Sequence, residues 1–99
     1  MLEQLDCALI RIEHLAHRLR SDPDRYVYRT ALELRAAFDG RQAIEPAFAR
    51  MRASLRMLRR CNEDGSRRDY QRRTRTLDAL QAAVEDDVLP RLRQMGFDV

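Results

Sequence analysis

Apolar residues recur at intervals of three and four along most of the chain, and this spacing constrains the fold more than any other feature. Leu5, Leu9, Ile12 and Ala16 share one stripe that Leu19 continues. Val27, Ala31, Leu34 and Phe38 form a second, and Phe48, Met51, Leu55 and Leu58 a third. A fourth runs from Tyr70 through Leu77, Leu80, Val84 and Val88 to Leu92 and Met95. A repeat of about 3.6 residues brings such positions to one face of an α-helix, whereas a half-buried strand requires strict alternation. The residues between the stripes are chiefly Arg, Ala, Glu and Gln, all good helix formers.

Punctuation divides the stripes. Ser21-Asp22-Pro23 ends the first, with Asp22 suited to an N-cap and Pro23 to the first position of the next helix. Gly40 is the natural stop of the second helix. Pro46 opens the third, and Asn62-Glu63-Asp64-Gly65 ends it. Ser66 and Asp69 have capping-box spacing ahead of the fourth, and Gly96 closes it. The expected helices cover about residues 2–20, 23–39, 46–62 and 67–95. Pro90 lacks a backbone donor and its ring clashes one turn back, so the last helix is expected to kink or break near it. Short connections favour antiparallel neighbours. The expected fold is therefore all-α: a small antiparallel four-helix bundle, with residues 1–99 as a single helical domain.

Several functional classes find no support. Leu2–Ile12, the most apolar N-terminal stretch, is interrupted by Glu3, Asp6 and Arg11, so it reads as neither a signal-peptide core nor a membrane anchor. Cys7 and Cys61 stand apart without C-x-x-C spacing, which fits a reducing compartment, and a cytoplasmic location is expected. His14 and His17 are close enough to share an ion. Cys7 lies two turns from His14, on the order of 10 Å along the axis, which is too far to join them. No paired metal motif supplies the missing ligands, so neither metal nor cofactor is expected. There is no Gly-rich phosphate loop and no nucleophile elbow, and Ser21, Ser54 and Ser66 sit at caps or within a helix. No catalytic residue is nominated, and the chain reads as a binding protein rather than an enzyme.

Two features bear on binding. Three helices carry apolar groups away from their main stripes: Cys7, Ile10, His14 and His17 on the first, Tyr28 and Leu32 on the second, Ala53, Met57 and Cys61 on the third. Bundle helices with two neighbours need a broad apolar arc, but a recurrence on three helices also fits a partner surface. Ile10, His14, Tyr28, Leu32 and Met57 are the candidate apolar interface.

The second feature is a division of charge hidden in a net +3. Residues 1–49 hold seven arginines against eight acids, residues 50–75 ten against three, and residues 76–99 two against five. Arg67 and Arg68 oppose the partial positive charge at a helix N-terminus, and Arg52, Arg56 and Arg60 are like-charge neighbours at i,i+4. A solvated face would explain part of this. The candidate partner-binding basic face comprises Arg52, Arg56, Arg59, Arg60, Arg67, Arg68, Arg72 and Arg75. Asp78, Glu85, Asp86 and Asp87 form an acidic complement: two copies of the last helix laid antiparallel would set basic halves against acidic ones. The expectation is a small protein–protein interaction module, a regulator, adaptor or chaperone that masks a larger protein, working as a homodimer. The alternative is a nucleic-acid binder using the Arg50–Arg75 face, against which the small net charge and the Glu85-Asp86-Asp87 run both argue.

Overall fold

The computed structural model describes residues 2–18, 25–62 and 67–99, with side chains for residues 5–18, 25–60 and 71–99. The four stripes lie on α1 (Leu2–His17), α2 (Arg25–Phe38), α3 (Ile44–Asn62) and a long final helix. That last helix comprises α4 (Arg67–Ala82), a π-helical turn at Ala83–Val88, and α5 (Leu89–Gln94). No strand occurs among the described residues. Leu19, the Asp22-Pro23 start and the Ser66 to Asp69 capping box lie outside what is described, as do the side chains of Cys61, Arg67, Arg68 and Tyr70.

The helices close into a ring. α1 packs on α2, α2 most extensively on α3, and α3 on α4, while the π turn and α4 return to α1. Each stripe faces the interior of this ring. Leu5, Leu9, Ile12 and Ala16 meet Val27, Ala31 and Leu34, then Phe48, Met51, Leu55 and Leu58, and finally Leu77, Leu80, Val84, Val88 and Leu92, in one core cluster. Full burial of each larger aliphatic or aromatic side chain is worth about 1.5–3 kcal/mol. Phe38 is half-buried against that cluster.

The break expected near Pro90 takes the form of the π turn that precedes it. Leu89 donates its N–H to the Val84 carbonyl, five residues back, and Pro90 stands at the start of the following α-helical segment. A proline ring normally collides with the carbonyl four residues earlier, and a wider turn relieves that collision. The turn accommodates one extra residue, which rotates the following segment by about 100°. Leu89 therefore joins Val88 and Leu92 in the core, although it lies off the stripe read from the sequence.

Gly40 and Gly96 terminate helices as expected, while Gly65 lies outside the described residues. Gly40 (φ 83°) donates to the Ala37 carbonyl and Arg41 to that of Ala36. Gly96 (φ 94°) donates to Arg93 and Phe97 to Leu92. Each is the paired reversal that satisfies terminal carbonyls through a left-handed residue. The second reversal corrects one expectation: Met95, read as the end of the last stripe, is exposed, and Phe97 folds back onto the core instead. The third helix also starts earlier than Pro46. The Ala43 carbonyl accepts from Ala47, so Pro46 lies within the first turn, where its missing N–H would have no helical partner anyway.

Two hydroxyls interrupt the α2–α3 packing. Thr30 Oγ1 lies 2.9 Å from the Val27 carbonyl oxygen, Ser54 Oγ 2.8 Å from that of Met51, and the two hydroxyl oxygens are 2.8 Å apart. Both residues are buried. With a single proton each, the two hydroxyls can make two of these three contacts as hydrogen bonds at a time: one donates to its own helix's carbonyl and the other donates across to it. Thr30→Val and Ser54→Ala should each lower stability by about 1 kcal/mol, and the double variant by less than the sum, with a coupling of roughly 0.5 kcal/mol or more. Urea unfolding of the four proteins in the cycle measures this.

Candidate binding surfaces

The basic run of α3 meets the acidic run of the last helix inside the same chain. Arg52 Nε donates to Glu85 Oε1 at 2.9 Å, and Arg59 forms an ion pair with Asp78. Seven residues forward on α3 correspond to seven residues back on its neighbour, so the two helices pass in opposite directions. Arg52 also lies over the Phe48 ring, 5.8 Å from its centroid, where the ring face attracts a cation.

This pairing divides the expected basic face. Arg52 and Arg59 are engaged within the chain, by two of the four acids that were to complement a second copy. Arg56, Arg60, Arg72 and Arg75 are exposed and have no acidic partner among the described residues. Asp86 and Asp87 are likewise exposed without a basic partner there. Among the described residues, Arg52 alone of the like-charge row Arg52, Arg56 and Arg60 is offset by the adjacent helix, a partner that a helix-by-helix reading does not see. Arg67 and Arg68 begin α4.

The candidate apolar residues fall into two groups. On the α1–α2 side, Ile10 is 39% exposed and Leu32 40%, and His14 is exposed as well. Tyr28 is half-buried and meets His17 edge-on, with ring centroids 5.4 Å apart. An ion pair between Arg35 and Glu13 at 3.6 Å continues the same seam. On the α2–α3 side, Met57 is 53% exposed and Tyr26, which the stripes did not single out, 43%. Tyr26 lies seven residues before Glu33 and Met57 seven after Arg50. Glu33 and Arg50 pair at 3.1 Å, so both couples line one seam two turns apart.

An open depression on α1 is lined by Cys7, Ile10, Arg11, His14, Leu15 and Arg18. Cys7 is an exposed free thiol. Among the described residues, no three His, Cys, Asp or Glu side chains are placed to hold a metal ion, and no helix is long and apolar enough to cross a membrane. Comparison with protein-family models, curated proteins and solved structures returns no match.

The two classes of arginine should separate experimentally. Arg56→Glu, Arg72→Glu and Arg75→Glu are expected to change stability by less than about 0.5 kcal/mol each, because they touch no partner. A double-mutant cycle on Arg52 and Glu85 should give a coupling of about 0.3–1 kcal/mol that shrinks in high salt. Denaturant titrations at low and high ionic strength check both.

Proposed function

We propose that this chain is a protein–protein interaction module that acts as a homodimer and, as a small regulator, adaptor or chaperone, masks a surface on a larger protein. The observation that carries this reading is the set of large apolar side chains (Ile10, Tyr26, Leu32 and Met57) left outside an otherwise filled core. They lie on three helices and are flanked by arginines and acids, the arrangement of an apolar centre with a polar rim. The absence of any nominated catalytic group leaves binding as the simpler account.

Nucleic-acid binding is the second reading, favoured by the exposed Arg56, Arg60, Arg72 and Arg75. It is weakened because Arg52 and Arg59 spend their charge on Glu85 and Asp78, so the α3–α4 face is less positive than its arginine count.

Light scattering of the full chain at tens of micromolar should give a dimer mass, and a monomer throughout that range would remove the homodimer reading. A fluorescence titration with duplex and single-stranded DNA at low salt should show little binding. Tight binding that falls steeply with salt would replace this proposal with the second reading.

A further inference from the structure

The outward side of α1 carries a row at fourfold spacing: Asp6, Ile10, His14 and Arg18. Residues four apart form a continuous ridge on a helix, inclined to its axis. All four side chains are exposed, and neither Asp6 nor Arg18 has a charged partner among the described residues. The next row, Cys7, Arg11 and Leu15, runs beside it, and the depression on α1 is the groove between these two ridges.

This ridge is its own complement. Its ends carry opposite charges twelve residues apart, about 18 Å along the axis, and Ile10 and His14 lie between them. A two-fold axis at the level of Ile12 exchanges Asp6 with Arg18 and Ile10 with His14. The same operation leaves the groove beside each ridge facing the ridge of the other copy. Ridges of this kind seated in matching grooves give the commonest crossing of packed helices, at about 50°. Isologous dimers require such self-complementarity. Leu32 and Tyr28 on the adjoining flank of α2 widen the apolar centre.

Building on the homodimer reading, we infer that the outer face of α1 is where a second copy of this chain docks, laid antiparallel so that Asp6 of each copy meets Arg18 of the other. The other exposed faces suit a second copy less well. On the α3–α4 face Asp78 and Glu85 are already engaged, so among the described residues only Asp86 and Asp87 are left to meet Arg56, Arg60, Arg72 and Arg75 of a second copy. Among the described residues, the Tyr26/Met57 seam offers two apolar side chains and no unpaired charges of opposite sign on the same row.

Sedimentation equilibrium of the full chain tests this, with circular dichroism to verify that each variant keeps its helix content. Asp6→Arg and Arg18→Asp should each weaken the dimer about tenfold or more, because the symmetry repeats each contact and replaces attraction by repulsion. The double swap should restore affinity to within a few-fold of the original, an outcome that a purely structural role would not produce. Ile10→Glu should abolish the dimer and Met57→Glu should leave it intact. A dimer indifferent to Asp6, Ile10 and Arg18 overturns the assignment of this face while leaving the homodimer standing. A monomeric parent chain overturns both.

Discussion

The structure depends on closing a ring of four apolar stripes, and the closure is made where the last helix returns to α1. A regular helix drifts, so a stripe as long as Leu77 to Leu92 would slowly turn away from its neighbour. The π turn at Ala83–Val88 corrects this drift. It brings Val84, Val88, Leu89 and Leu92 onto the core face together, next to α1, and it also makes room for the ring of Pro90. One local irregularity thus serves both the steric demand of a proline and the packing demand of the bundle.

The core of the fold was legible because periodicity and burial express the same constraint. Leu5, Leu9, Ile12, Val27, Leu34, Phe48, Met51, Leu55, Leu77 and Leu80 were read as inward-facing, and all are buried. Gly40 and Gly96 announced the two reversals because a left-handed turn suits few other residues. The misses have definite causes. Thr30 and Ser54 do not register in an apolar pattern, since their burial depends on meeting each other from different helices. Leu89 was missed because the spacing rule assumes an unbroken α-helix. Met95 was misread because a reversal one residue later gave its place to Phe97.

The charge pattern teaches a related lesson. The segregation of arginines and acids along the sequence was real, but two opposite blocks on consecutive helices of a bundle can satisfy one another. Arg52 with Glu85 and Arg59 with Asp78 do so, and only the remainder is available to anything outside. The candidate surface was partly legible: Ile10, Leu32 and Met57 stand out from their stripes in the sequence and are exposed in the structure. Their grouping into separate seams was not, because it follows from which residues lie level across α1, α2 and α3.

The buried hydroxyls of Thr30 and Ser54 bear on how the chain avoids misfolding. Helices with smooth apolar faces can slide past each other by a turn at small cost, since one leucine replaces another in each hole. Here a slip of α2 against α3 would part the two oxygens, leaving each hydroxyl only the carbonyl of its own helix and losing the hydrogen bond that joins the two helices. Losing one such hydrogen bond costs about 0.5–1.5 kcal/mol. The pair therefore acts as a key that makes shifted pairings of α2 and α3 worse, beyond making the observed one better. In a protein whose largest helix contact is the one between these two elements, that selects a single alignment for the whole bundle.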